Sequence, residues 1–270
     1  PHEANLRRMP AVPDLASQGR DAHQTDSMPR ILTYNVHRCV GTDRRLDVGR
    51  IADVIASLQP DIVALQELDV GRMRTGMVDQ AHEIAQRLKM AVHFHAAMEV
   101  EEELYGDAIL TTYPEHLVQV GPLPGYGRIP QLEPRGALWI CVEIDGKQVQ
   151  IINTHLGLVP REQQLQAACL AGPAWLEHPK CVGPTILLGD FNASPTSVVY
   201  RTLIGRLQGA RRLTPIKKPT STFPSALPVV RIDHLFVSPE IQVTDLSAPF
   251  NPLTRAASDH LPLVMDFEIS

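Results

Sequence analysis

The sequence predicts an α+β fold, a four-layer α/β/β/α sandwich of two mostly antiparallel sheets flanked by helices. Three observations predict it. Strand-like and helix-like segments alternate towards both ends of the chain, the middle holds adjacent strands with a hairpin signal, and no linker or short-period repeat interrupts the run. Residues 29–270 therefore read as a single domain. Residues 1–28 are polar and proline-containing without either periodicity, and read as a disordered leader or an extension.

The elements follow in order. Ile31-Leu32-Thr33-Tyr34-Asn35-Val36 reads as a strand, because β-branched and aromatic side chains suit a buried pleat. Over residues 46–58, Leu46, Ile51, Val54, Ile55 and Leu58 share one helical face, and Pro60 closes that helix before a strand at 61–67. A second amphipathic helix spans 78–88. Residues 106–111, 136–144 and 148–155 read as strands, and Asp145-Gly146 between the last two tolerates the positive φ of a two-residue turn. A helix over 161–175, a strand over 185–190, a short helix, and strands at 231–237, 241–246 and 261–267 complete the set. The stretches 122–134 and 215–228, rich in proline, read as long surface loops that shape a substrate mouth.

Composition narrows the function. With 44% hydrophobic and 20% charged residues, the chain can bury a substantial core. A formal net charge of −5 argues against gripping nucleic acid by phosphate neutralisation, which takes a basic face. Cys39, Cys141, Cys169 and Cys181 have neither C-x-x-C pairing nor zinc-ligand spacing and read as reduced thiols. No apolar run reaches membrane-span length and no secretory signal is legible, so a cytoplasmic location is expected.

The chemistry sits where polar residues interrupt apolar strands, since burying such groups is costly without partners. Asn35 follows Leu32-Thr33-Tyr34, and Glu67 follows Ile62-Val63-Ala64-Leu65-Gln66. His155 follows Ile151-Ile152-Asn153-Thr154, and Asp190 and Asn192 follow Ile186-Leu187-Leu188-Gly189. Asp233-His234 precede Leu235-Phe236-Val237, and Asp259-His260 precede Leu261-Pro262-Leu263-Val264. One such residue is usually a cap or a turn former. Recurrence at so many strand ends implies a shared cleft.

Taken in order, Thr33-Tyr34-Asn35-Val36, Leu65-Gln66-Glu67, Asn153-Thr154-His155-Leu156, Leu188-Gly189-Asp190-Phe191-Asn192-Ala193, Ile232-Asp233-His234-Leu235 and Ser258-Asp259-His260-Leu261-Pro262 resemble the endonuclease/exonuclease/phosphatase superfamily. That group includes DNase I, apurinic endonucleases, inositol-polyphosphate 5-phosphatases and neutral sphingomyelinases. The resemblance runs over about residues 30 to 270. It implies a DNase I-like sandwich and a Mg²⁺-dependent phosphoesterase in which Mn²⁺ can substitute. Glu67 is a hard oxygen ligand suited to Mg²⁺, Asn35 supplies a neutral oxygen near the ion or binds phosphate, and Asp259 is a ligand or supports one. His260 paired with Asp233 forms a dyad whose acid fixes the imidazole tautomer. The resemblance implies that this dyad and Asp190 orient and activate the attacking water, while Asn192 holds a phosphate oxygen or keeps Asp190 in place. His155 is expected to donate to a non-bridging oxygen. Asp107 is expected to tune His155 by raising its pKa, or else is a turn residue after Gly106. Arg135 is either a phosphate-binding fork or a surface arginine, and His37 and Arg38 either face the mouth or lie in a solvated loop.

Substrate identity is less legible. Thr33-Tyr34-Asn35-Val36-His37, Gly41-Thr42-Asp43 and Leu46-Asp47 resemble a bacterial branch of the superfamily, and the nuclease-like domain of a eukaryotic protein of GPI-lipid remodelling. The expected substrate is a phosphodiester or phosphomonoester of a phospholipid head group or a small phosphate, with peripheral lipid contact. A metal-dependent DNA or RNA nuclease and a non-catalytic binding or scaffold protein are the alternatives. Aromatic residues make up only 5% of the chain, so extensive base stacking is not expected and nucleic acid is the less favoured partner. No protein partner can be inferred. His93 and His95 read as strand histidines rather than a metal pair, and Glu99, Glu101, Glu102 and Glu103 as a solvated acidic run.

Overall fold

The computed structural model describes residues 28–100, 102–127, 129, 132–215 and 217–270. Except for Met28, the expected leader lies outside the described residues, as does Glu101 of the acidic run. One six-stranded sheet contains β1 (Arg30–Asn35), β2 (Ile62–Val70), β3 (Ala91–Val100), β4 (Glu103–Thr111), β11 (Ile241–Ser247) and β12 (Leu263–Ile269), in the order β11-β12-β1-β2-β4-β3. The other contains β5 (Glu115–Pro122), β6 (Gly136–Ile144), β7 (Lys147–His155), β8 (Thr185–Asp190), β9 (Gln208–Gly209) and β10 (Asp233–Val237), in the order β5-β6-β7-β8-β10-β9. Each is mixed: β1–β2 and β7–β8 are parallel, and the other pairs are antiparallel.

Three apolar clusters define the four layers. Ile31, Ile62, Ile109, Leu138, Ile151, Leu188, Leu235 and Met265 fill the space between the sheets. Leu32, Val63, Leu65 and Leu110 pack outward against α1 (Val48–Leu58) and α2 (Gln80–Leu88). Trp139, Ile152, Leu187 and Phe236 pack outward against α3 (Pro160–Leu170) and α4 (Val198–Leu203). Asp47 and Asp79 cap α1 and α2 by accepting from the Arg50 and His82 N–H groups, each at 2.9 Å. The β6–β7 turn has positive φ at both Asp145 (51°) and Gly146 (76°), as its sequence predicts.

The expected strands are all present, with three differences. The helix expected over 161–175 stops at Leu170, because Gly172-Pro173 cannot continue it. Strand β3 contains the expected strand histidines His93 and His95 but runs on through Glu99, β5 covers a segment not read as a strand, and Pro122 ends β5 instead of opening a loop. Short α5 (Ala210–Leu213) and α6 (Pro252–Ala257) also appear, the latter closed by an Asn251/Thr254 capping box.

Strand direction gathers the polar residues at one end of the sandwich. The parallel strands β1, β2, β7 and β8 end there, and their antiparallel neighbours β6, β10 and β12 begin there. Period-two geometry then fixes which residues face inward. Ile31, Thr33 and Asn35 succeed one another along the inner face of β1, as do Ile151, Asn153 and His155 on β7, and Ile186, Leu188 and Asp190 on β8. Each row passes from apolar core to polar mouth.

Gly189 permits the closest approach within this framework. Its φ is 143°, and a Cβ there would lie 1.9 Å from the Thr154 carbonyl oxygen of β7. Gly189→Ala is therefore expected to destabilise the fold by about 3 kcal/mol or more. An unchanged urea midpoint would contradict that reading.

His234 gives the fold an acid limit. Its ring is packed among Phe191, Tyr200 and Phe236, and Nε2 donates to the Ala193 carbonyl at 2.8 Å. Burial holds its pKa down to about 4, against 6.5 for an ordinary imidazole. The folded state thus keeps the ring neutral where the unfolded chain takes up a proton. The contribution to stability is full above about pH 6.5 and falls by roughly 3 kcal/mol as pH drops through about 4. A pH series of unfolding midpoints for the wild type and His234→Phe checks this, the variant showing the shallower slope between pH 6.5 and 4.

Candidate active site

The floor of the mouth is an amide network between the sheets. Gln66 Nε2 donates to Asn153 Oδ1 (2.8 Å) and Thr33 Oγ1 (3.0 Å), and Asn153 Nδ2 donates to the Leu65 and Ala108 carbonyls, each at 2.9 Å. Beside it β2 is bulged. Leu65 pairs with Ala108 but Leu68 with Gly106, so Gln66 and Glu67 together face Asp107, and Glu67 takes a φ of 62°. A non-glycine residue there costs about 1–2 kcal/mol. The bulge re-aims Glu67 from the strand register into the cleft.

That cleft, of about 430 Å³, is lined among others by Glu67, His155, Asp190, Asn192, Asp259 and His260. Asn35 lies beneath it, and its Nδ2 donates to Glu67 Oε1 and to Asp190 Oδ2, each at 3.0 Å. The His37 N–H fixes the other end of that amide by donating to Asn35 Oδ1 at 3.0 Å. The Asn192 N–H donates to Asp190 Oδ1 (2.9 Å), and the Asn192 side chain donates to the Leu156 carbonyl (2.9 Å) and stands 3.1 Å from His155 Nε2.

The expected Asp233–His260 dyad is present, with Nδ1 to Oδ2 at 2.9 Å, and His260 Nε2 lies 3.7 Å from Asp190 Oδ2. The Thr222 hydroxyl donates to the same Asp233 oxygen, and the Phe223 ring lies 4.9 Å from the His260 ring. Burial opposes charge on His260, but Asp233, with help from Asp190 and Asp259, outweighs it and raises the pKa, so the ring is an imidazolium. Burial and the nearby Asp233 raise the pKa of Asp190.

His155 departs from expectation. Its Nδ1 lies 3.0 Å from Arg135 Nη1, which can only donate, and its Nε2 lies 3.1 Å from Asn192 Nδ2 and 3.5 Å from Asp190 Oδ2. Burial first, then the Arg135 charge, holds the His155 pKa well below the usual imidazole range. The expected tuning by Asp107, with a raised His155 pKa, is therefore corrected: the partner of His155 is a cation. Asp107 is buried and accepts the Glu67 N–H, and burial pushes it up to about 8 against the pull of Arg135. Arg135 is no surface residue. It is 8% exposed, with Glu133 at 2.9 Å.

Asp259 stands at the rim, 40% exposed in its side chain, with Oδ1 accepting from Ser258 Oγ at 3.3 Å and lying 4.0 Å from His37 Nδ1. His37 and Arg38 line the cleft instead of a solvated loop. Sequence reasoning missed Arg74, Tyr105, Glu133, Leu158, Thr222 and Phe223, of which Tyr105 lies in β4 and the rest come from loops or a short turn, and it gave no role to Ile232. His93 pairs with Glu115 across the edges of the two sheets rather than with His95.

The donor set suits a hard divalent cation. Glu67, Asp190, Asp233 and Asp259 crowd one end of the sandwich, yet Glu67 has no ion-pair partner among the described residues and accepts only from a neutral amide. Asp233 Oδ1 is buried without a hydrogen-bond partner. Asp190, Asp233 and His260 place one ligand atom each within 4.8 Å of one another, but the Asp233–His260 bond already commits two of these groups to each other. Glu67 is thus the better anchor for an oxygen-ligated ion.

Residues 32–260 match the Endonuclease/Exonuclease/phosphatase family model, and the chain belongs to that family, whose members hydrolyse phosphoesters and generally use a divalent metal. Among individual relatives, it is 25% identical over 251 residues to the uncharacterized protein YbhP of Escherichia coli (strain K12), covering 89% of this chain and 96% of YbhP. The mannosyl-6-phosphatase Bt3783 of Bacteroides thetaiotaomicron VPI-5482 shares the fold at a TM-score of 0.69 and 18% identity, covering 89% of this chain and all of that one (100%). The human Nocturnin catalytic domain, solved with a bound sulfate anion, does so at a TM-score of 0.65 and 23% identity, covering 90% and 95%. No helix among the described residues is long and apolar enough to cross a membrane.

Proposed function

We propose that this chain is a Mg²⁺-dependent phosphoesterase, with Mn²⁺ as a substitute, hydrolysing a phosphoester of head-group or sugar-phosphate size by attack of water. The observation that carries the reading is the convergence of the Asp233–His260–Asp190 chain with Asn35–Glu67 and Arg135–His155 at one cleft. Glu67, with Asn35 and Asp259 nearby, would hold the metal, which when bound offsets charge on the phosphoryl oxygens. Asp190 orients the attacking water and takes its proton, helped by its raised pKa. His260, kept charged by Asp233, and Arg135 offset the negative charge that develops in the transition state. His155 and the Asn192 amide hold Asp190 and a non-bridging oxygen. Asp107 supports the bulge that aims Glu67.

A cleft of about 430 Å³ favours a compact substrate over a nucleic-acid duplex, as does the pairing of Arg74 with Asp69 and of Arg135 with Glu133. The test is a panel of bis(p-nitrophenyl) phosphate, p-nitrophenyl phosphate, phospholipid vesicles and plasmid DNA with Mg²⁺ or Mn²⁺. Turnover of a small phosphoester or a vesicle lipid, abolished by EDTA, is expected. Failure with every substrate and both metals would overturn the reading, and preferential, salt-sensitive cleavage of plasmid would replace it with a nuclease.

A further inference from the structure

Arg38, Arg74 and Arg135 are the arginines that line the cleft, and their charges are not equally committed. Arg74 donates twice to Asp69, at 2.7 and 2.6 Å, and lies over the Tyr105 ring. Arg135 is held by Glu133 and by His155. Arg38 has no carboxylate at ion-pair distance among the described residues. Its Nη2 donates to His37 Nε2 at 2.7 Å, and its Nε is shielded from solvent without a hydrogen-bond partner.

The backbone holding this side chain is unusual. His37, Arg38 and Cys39 have φ of 45°, 57° and 59°, a run of left-handed residues without a glycine. Its surroundings over-determine it. Gln80 Nε2 donates to the Arg38 carbonyl (2.8 Å), the Asp47 N–H to the Cys39 carbonyl (2.9 Å) and the His37 N–H to Asn35, while Cys39 is fully buried. Strain maintained this way gathers at ligand clamps. Here it points an uncommitted guanidinium into the same cleft as Glu67 and His260.

We propose that Arg38 binds a second anionic group of the substrate, so that the substrate class is a small phosphoester bearing a further phosphate or a carboxylate. The inference rests on the phosphoesterase reading. A planar guanidinium free of a protein carboxylate keeps Nη1 and the second Nη2 hydrogen available for such a group, although Nε is shielded and Nη2 already meets His37. His37 accepts from Nη2 and turns the fork, and Gln80 fixes the backbone beneath it.

The experiment compares kcat/KM, with Mg²⁺, for fructose 1,6-bisphosphate, for 3-phosphoglycerate and for p-nitrophenyl phosphate, in the wild type, Arg38→Asn and Arg38→Lys. Asparagine tolerates the left-handed backbone while removing the charge. The expected result is that Arg38→Asn lowers the ratio of either two-anion substrate to p-nitrophenyl phosphate by about tenfold or more. The loss falls in KM, and Arg38→Lys restores part of it. Whichever two-anion compound carries the larger effect identifies the second group as phosphate or carboxylate. An equal loss on all three substrates, or an unchanged ratio, overturns the inference while leaving the phosphoesterase reading standing. A wild type that turns over none of them overturns the inference, and the phosphoesterase reading falls with it only if bis(p-nitrophenyl) phosphate and vesicle lipid also fail with both metals.

Discussion

His260→Ala is expected to lower kcat by about 10³–10⁴-fold with KM little changed. The imidazolium is held by Asp233 at 2.9 Å and faces Asp190 at 3.7 Å, so its removal takes away transition-state charge stabilisation and the group that opposes the Asp233 charge at Asp190. The second effect also costs stability, because the buried Asp190 and Asp233 lose the cation between them. Circular dichroism and a thermal melt therefore accompany the kinetics. Asp233→Asn is the sharper companion, since it keeps the volume but offers an amide where Nδ1 needs an acceptor. A folded His260→Ala enzyme with more than about a tenth of wild-type kcat would remove the dyad from the mechanism.

Glu67→Gln is expected to lose about 10²–10⁴-fold in kcat and, independently, the rise in melting temperature expected when Mg²⁺ is added to the wild type. The substitution retains the acceptor for Asn35 Nδ2 and the side-chain volume, and the bulge is fixed by backbone pairing between β2 and β4. The apo variant should thus melt at or above the apo wild type, since one carboxylate fewer crowds the cleft. A variant whose melting temperature still climbs with Mg²⁺ would move the metal elsewhere, with the Asp190–Asp233–His260 group the next place to look.

How far the sequence reveals the structure depends on position in the sheets. Central strands such as β7 and β8 are buried on both faces, so their uniform apolar runs bounded by His155 and Asp190 are readable directly. The edge strands β3 and β5 are half-exposed and mix polar with apolar residues, so only the His93 and His95 stretch of β3 is legible and β5 is not. Helix α6 is too short to show a period. In the site, residues at strand ends carry a signal because a polar group interrupts an apolar run. Thr222, Phe223 and Arg74 belong to loops whose course no local pattern specifies. Partnership is harder still. The family resemblance pairs Asp107 with His155, but only the start of β6 opposite the end of β7 brings in Arg135 and reverses the sign of the electrostatic effect on the imidazole.

Strand β1 lies between β2, which follows it closely, and β12, the final strand of the sheet. During synthesis β1 waits with one side unpaired until residues 263–269 have emerged, and His260 arrives just ahead of the strand that ends the wait. Asn35 and Glu67 can meet early, but they face no imidazolium until β12 docks. The candidate site is thus incomplete, by topology alone, until β12 has docked beside β1.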